Sequence, residues 1–313
     1  MHPRDLDAVL RAEGSAPIPF PYRKGDYALH LLLLGIGGGR PLSVLRQGPF
    51  RRLLEKPIVR RALASVSNGV LAPRHLEALF AAQRESFSVT LGRWGADKPR
   101  DWGSRYYQTS RPGQNLVVQL NFPASHDRAY VDLIKPREDH PFAMRFHPVR
   151  TETPFTLAWA RLDVDFDAGE VLVEEVQCDW VREAEWFKRT AEESLEAGTP
   201  AHLRPNMGIR ATAPQVLQYV HGVLSPYAAL WAECVLAAAI AFSYERLSVR
   251  RIYFHTFEGG NLMKRMRCEP PRSLYTDLPQ RFCFVETKRA PAAFRRDGRV
   301  KHRSPSWYAL ELV

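Results

Sequence analysis

One segment constrains this chain more than any other: FTLAWARLDVDF-DAGE-VLVEEVQCDW, residues 155–180. Two extended runs flank Asp167-Ala168-Gly169-Glu170, where Gly169 can supply the positive φ of a tight turn. The pattern predicts an antiparallel hairpin. Strand alternation places Val171, Val173, Glu175, Gln177 and Asp179 on one face of its second arm. Leu172, Glu174, Val176, Cys178 and Trp180 fall on the other. Each face therefore carries a carboxylate, and a sheet covered on both sides must bury at least one. A buried, unpaired carboxylate costs several kcal/mol or takes up a proton. Glu174 or Glu175 therefore needs a partner or a chemical task. Arg161 across the hairpin, Arg251 and His255 are the candidate partners.

Around the hairpin the pattern predicts an α+β protein. Residues 1–92 read as mainly helical, with strands beginning from Phe87 in FSVTLGRWG. NLVVQLNF and RAYVDLI alternate as strands do, and PFAMRFHPV reads as a strand or edge segment. After the hairpin comes a polar helix, DWVREAEWFKRTAEESLEAG, then an irregular stretch. LSPYAALWAECVLAAAIAFSYERL is the strongest helical signal. Ser225 suits an N-cap, Pro226 the first turn, and the apolar surround predicts burial. SVRRIYFHTF, RFCFVET and PSWYALEL are expected strands, with EGGNLMKRM a short helix after the first. The expected organisation is a basic, mainly helical region at 1–112 and an α/β domain at 113–313. A polar helical insert occupies about 181–223.

Several familiar chemistries find little support. YALHLLLLGIGGG ends in glycines, but Gly35, Gly37, Gly38 and Gly39 fit neither G-x-G-x-x-G nor a G-K-[ST] ending. A buried helix from Asp26 to Leu34, stopped by glycines, is the plainer reading. The four cysteines include no C-x-x-C pair, and acidic neighbours would raise the Cys178 pKa. The ten histidines show neither H-x-x-x-H nor H-E-x-x-H spacing, so no metal site is assigned. The N-terminus has no apolar run of a signal peptide, and Ala228–Phe242 is too short to span a bilayer. These features lead to the expectation of a cytoplasmic protein with no membrane partner.

Charge is distributed unevenly. The net charge is +10. Residues 1–110 balance to +8, residues 111–244 to −6 and residues 245–313 to +8. Basic flanks favour a polyanionic partner such as tRNA or DNA. The candidate contacts are Arg46, Arg51, Arg52, Arg60 and Arg61 in the first flank, and Arg295, Arg296, Arg299 and Lys301 in the last. Trp94, Trp102, Tyr106 and Tyr107 could stack on bases. A second strand end, His255-Thr256-Phe257-Glu258-Gly259-Gly260-Asn261, forms a plausible polar mouth.

The order hairpin, long helix, strand, short helix, strand, strand resembles the catalytic half of the GNAT superfamily of acyl-CoA N-acyltransferases. EEVQCDW also resembles the E-E-I-Q-S-D-W motif of uncharacterised bacterial and phage proteins, with Cys178 in place of their usual serine. The resemblance covers about residues 113–313. It implies a mixed, mostly antiparallel GNAT-like sheet with a long buried helix and two strands that splay apart. It further implies an acyl-CoA whose pantetheine arm lies along Val176, Gln177, Cys178 and Asp179. The pyrophosphate would sit on Ser225, Tyr227 and Ala228. Asn261 matches the asparagine of the family's N-x-x-A-x-x-x-Y helix, whereas Lys264 and Cys268 replace the alanine and tyrosine. The family's [QR]-x-x-G-x-[GA] loop has no counterpart, and Pro226 removes one amide.

Three functions follow as expectations. The first is an acyl- or aminoacyl-transferase with Glu175 or Asp179 as base, acting on or with nucleic acid. The second is a nucleic-acid-binding protein without chemistry. The third is a metal-assisted hydrolase using Glu174 or Glu175, Asp179 and His255.

Overall fold

The computed structural model describes all residues except 97, 99–100, 102–106, 138–139, 200–207, 265–268 and 313. Trp102, Tyr106 and Cys268 lie outside the described residues. The strands are β1 (Ile18–Tyr22), β2 (Arg40–Pro41), β3 (Val70–Leu71), β4 (Glu85–Gly95), β5 (Gln114–Asn121), β6 (Thr156–Asp165), β7 (Glu170–Gln177), β8 (Arg251–His255), β9 (Val285–Thr287) and β10 (Trp307–Glu311). Eight of them form one sheet in the order β1-β4-β5-β6-β7-β8-β10-β9. Every pairing in it is antiparallel except β7 with β8. The protein is thus α+β with a mixed, mostly antiparallel sheet.

The hairpin forms as expected, with Gly169 at φ 61° in its turn. The sheet also runs across residue 112, because β1 and β4 extend it from β5. Strand β1, IPFPY, was hidden by its two prolines. It pairs with β4 alone, and a sheet edge is where prolines, which lack an N–H, are tolerated. Gly35 lies inside the Tyr27–Ile36 helix, which ends at Gly37 with φ 54°.

Four expectations are corrected. RAYVDLI is the end of a helix, Ala124–Ile134, whose buried residues His126, Asp127, Tyr130 and Ile134 follow helical spacing. PFAMRFHPV forms turns and no strand. RFCFVET contributes only Val285–Thr287, because Cys283 takes φ 63° in the turn before it. The long helix expected from Ser225 is two helices. Ser225–Ala228 continues an earlier run through Ala213–Gln218 and a π-helical turn at Tyr219–Leu224. The buried helix starts afresh at Trp231 and ends at Glu245. Pro226 offers no N–H to the carbonyl four residues back, and the irregular turn precedes it. Among the described residues, no single helix is long and apolar enough to cross a membrane.

The Trp231–Glu245 and Tyr27–Ile36 helices belong to the large apolar core on one face of the sheet. Leu116, Val118, Leu120, Leu162, Val173, Val176, Ile252 and Phe254 point into that core. The opposite face carries a small apolar cluster around Leu172, Tyr253 and Trp307. Beside that cluster lies a band of buried polar side chains: Arg161, Asp163, Glu174, Glu175 and His255.

Candidate functional site

The band arises from one irregularity in β7. Val171, Val173, Val176 and Cys178 all face the large core, so the step from 173 to 176 holds one residue too many for strict alternation. The register with β6 shows where: Arg161 opposes Glu175 and Leu162 opposes Val173, leaving Glu174 without an opposite residue. A bulge of this kind bends its strand and re-aims side chains. Here it brings both glutamates to the polar face, correcting the expectation of one on each. Pairing of β7 with β8 stops at Val173 and Phe254, where the bulge begins. Beyond that point the two strands have no paired residues.

Glu174 turns inward. It accepts hydrogen bonds from the Ser110 amide (3.1 Å) and the Ser110 hydroxyl (2.6 Å), and His255 Nε2 lies 3.2 Å away. Burial would raise its pKa. The hydrogen bond and charge of His255, with Lys264 and Arg161, outweigh that and bring it down to about 2. His255 is shifted down, because burial outweighs the pull of Glu174. Its Nδ1 has no partner among the described residues, so a second proton there would bury an unsatisfied N–H. Ser110, His255 and Glu174 superficially suggest a nucleophilic triad. Serine and glutamate, however, both meet the same imidazole nitrogen, and Glu174 and His255 are 0% exposed. The carboxylate therefore does not orient the ring from its far side, and the cluster is a closed structural network.

Glu175 turns outward. It pairs with Arg161 across the hairpin, and Lys264 Nζ lies 3.9 Å away. Burial would raise its pKa, but Arg161 and Lys264 prevail and lower it. Arg161 is held in turn by the Tyr107 (2.7 Å) and Gln108 (3.1 Å) carbonyls. Lys264 donates to the Glu174 carbonyl at 3.0 Å, and burial lowers its pKa against the pull of Glu175. Arg161 and His255, two of the three expected partners, thus hold the two glutamates. The third, Arg251, binds Glu170 instead.

Two adjacent cavities open at the end of β7. The larger, about 550 Å³, is bordered by Glu175, Cys178, Arg182, Trp231, Pro271 and Leu274. A smaller chamber of about 270 Å³ has Trp94, Trp159, Phe146 and Arg161 in its walls. Gln108, His147, Glu175 and Gln177 border both.

His147 is the residue that sequence reasoning missed. It stands outside any strand or helix, yet its Nδ1 lies 2.8 Å from Asp179 Oδ2. Asp179 opens the Asp179–Glu196 helix directly after β7. It also accepts from Trp159 Nε1 (3.0 Å), from Arg182 (2.8 Å) and from Gln177. Burial would raise the Asp179 pKa. Its hydrogen bonds from His147, Trp159 and Gln177, with the His147 charge, bring the net shift down. An ionised carboxylate only accepts, so Nδ1 carries the proton and Nε2 is the basic nitrogen. The His147 side chain is 29% exposed and that of Asp179 only 2%. This is a base held by a buried orienting acid, at the border of both cavities.

The chain matches no family model, no curated protein and no solved structure. Function is therefore argued from this geometry.

The remaining candidates separate clearly. Val176 and Cys178 face the apolar core while bordering the cleft. The Cys178 thiol accepts from the Val181 amide at 3.4 Å, and burial pushes its pKa far up, so it is inert. Ser225, Tyr227 and Ala228 do not provide the helix end that a pyrophosphate would need, since they continue a preceding helical run. The Tyr227 hydroxyl points instead to Glu85 at 3.3 Å. This anchor for acyl-CoA does not fit. Asn261 is half-buried on the Phe257–Lys264 helix and borders neither cavity. Among the described residues, no group of three His, Cys, Asp or Glu side chains is placed to share a metal.

Of the basic candidates, Arg46, Arg51, Arg52, Arg60 and Arg61 are all exposed on consecutive short helices, as are Arg296 and Lys301 near the C-terminus. Arg295 is also exposed but reaches Glu170 at 3.4 Å. Arg299 is structural: it donates to the Met263 (2.6 Å) and Ser110 (2.7 Å) carbonyls and pairs with Asp297.

Proposed function

We propose that this protein transfers an acyl or aminoacyl group from an activated ester or thioester to an amine or hydroxyl in the cleft at the end of β7. One observation carries the reading: β7 and β8 run parallel for four residue pairs and then part. The larger cavity runs along Glu175 to Cys178, at the end of β7 that is not paired with β8, and also borders the Asp179-held His147. Parting of these two strands is also what the resemblance to acyl-CoA N-acyltransferases implies.

In this reading His147 Nε2 takes the proton of the attacking nucleophile as its bond to the acyl carbon forms. The same imidazole returns the proton to the leaving oxygen or sulfur as that bond breaks. Asp179 is a positioning residue that fixes the tautomer and stabilises the transient imidazolium. Glu175 is held ionised by Arg161 and Lys264, and forms the cleft floor in place of its expected role as base. The buried helix begins instead at Trp231, which borders the cleft, so the donor's anchoring differs from the pose expected at Ser225.

The test offers acetyl-CoA and a charged tRNA separately, each with amine acceptors, to the wild type and to His147→Gln. One donor should be consumed, about 10²–10⁴-fold more slowly by the variant. Equal consumption by both proteins would refute the assignment. Exposure of all five arginines from Arg46 to Arg61 favours a second reading, polyanion binding without chemistry.

A further inference from the structure

We infer that the smaller chamber beside the cleft is a binding site for a neutral planar heteroaromatic ring, a nucleobase. This deepens the transfer reading and rests on it for the ring's relation to the reacting group, because His147, Glu175, Gln108 and Gln177 border both spaces.

Size comes first. At about 270 Å³ the chamber lies below the roughly 300–1,000 Å³ of clefts that hold drug-sized ligands. It suits one ring system with the rest of the molecule in the adjoining cleft.

The walls come next. Trp94 and Trp159 both border the chamber, and each meets the His147 ring edge-on, with centroids 6.2 and 5.7 Å apart. Phe146 borders it too and is 76% exposed, a large aromatic ring left in solvent beside a cavity. Trp159 is only 2% exposed, so Trp94 and Phe146 are the faces left to stack, and they can do so on any base because every base has a π-face.

Charge and polarity narrow the class. Arg161 and Glu175 at the floor neutralise each other, so the chamber has no unmatched charge for a carboxylate or an ammonium group. An alkyl chain would leave the Gln108 amide and the Gln177 side-chain carbonyl desolvated without partners. Gln177 already spends its Nε2 on Asp179, which leaves its carbonyl oxygen to accept. A ring with an exocyclic amine and ring nitrogens satisfies that edge, whereas an all-carbon ring does not.

The experiment is equilibrium binding to the full chain, without turnover. The four common nucleosides and ribose 5-phosphate are each added at millimolar concentration and observed by saturation-transfer NMR, with affinities from calorimetry. Base protons should receive the strongest saturation, and ribose 5-phosphate should bind far more weakly. Trp94→Leu should weaken nucleoside binding about ten-fold or more. Phe146→Ala should weaken it measurably, and its exposed position makes loss of the fold no explanation. Absence of base-proton saturation overturns the inference. So does equal binding of ribose 5-phosphate, or affinity unchanged in both variants. A short single-stranded RNA that binds at least ten-fold tighter than its nucleosides assigns the source to nucleic acid, and equal affinity assigns it to free nucleotides. Transfer that depends on His147 without base binding removes this inference alone. Base binding without transfer removes the catalytic reading alone.

Discussion

His147 Nδ1 lies 2.8 Å from Asp179 Oδ2, across 32 residues of sequence, and the two side chains meet where β7 leaves the sheet. The acid is buried beneath four hydrogen-bond donors and the base is partly open to the cleft. Acid and base therefore have separate duties, orientation and proton transfer.

Asp179→Asn tests that division. An amide can donate to Nδ1 and favour the wrong tautomer, so the rate of any transfer should fall about 10²–10⁴-fold. Substrate affinity should change little. A rate unchanged within a factor of two would show that the imidazole needs no fixed tautomer.

Arg161→Met should destabilise the fold by about 3–5 kcal/mol, because it strips Glu175 of its nearest cation and leaves Lys264 at 3.9 Å. Urea unfolding measures this. The double variant Arg161→Met/Glu175→Met should recover part of the loss, since neither charge is then stranded. A double variant weaker than the single one would mean that the pair is required for packing rather than for mutual neutralisation.

Acid should unfold the protein readily. Glu174 has a folded pKa of about 2 against roughly 4.3 unfolded, so the stability it adds is present above that unfolded value and fades as pH falls toward 2. His255 is also shifted down. The unfolded chain therefore binds a proton that the native one refuses, and stability begins to fall below about pH 6.5. Both effects have the same sign. Calorimetric Tm should drop steadily from pH 7 to about pH 3, and Glu174→Gln should flatten the part of that curve below about pH 4.3. A flat wild-type curve would contradict the network.

The basic residues divide into two groups. Replacing Arg51, Arg52 and Arg60 by Ala should lower the salt dependence of RNA or DNA binding by about one log–log unit per lost phosphate contact, with Tm nearly unchanged. Arg299→Ala should lower Tm and leave the salt slope alone, since Arg299 ties Met263 to Ser110. Reversal of these two outcomes would reassign the groups.

Gly35→Ala checks the glycine run. A Cβ there would lie 2.2 Å from Phe50 Cε2, so the substitution should cost about 1–3 kcal/mol in chemical denaturation. A neutral result would mean that Phe50 yields freely. Gly35 is thus needed for close packing inside a helix.

Much of the sheet was legible because β-structure writes itself into alternation. The hairpin, β4, β5, β8 and β10 all stand where apolar and polar residues alternate. The errors have local causes. RAYVDLI alternates over too few residues to separate strand from helix. IPFPY disguises an edge strand behind prolines. The continuous apolar run after Ser225 does not reveal that Pro226 sits near a break. Among the site residues, Glu175 and Asp179 were visible as carboxylates on an apolar strand. His147 was not, because nothing in PFAMRFHPV marks a residue whose partner lies 32 positions away.

The sequence by itself determined that a strand bearing adjacent carboxylates would be buried and would need cations, and it named Arg161 and His255 among them. Only the tertiary structure decided which carboxylate met which partner. A single unpaired residue in β7 shifts the phase of side-chain alternation, and that phase is set by the register with β6, not by β7 alone. The same bulge coincides with the separation of β7 from β8, so the strand's local geometry and the position of the cleft have one physical origin.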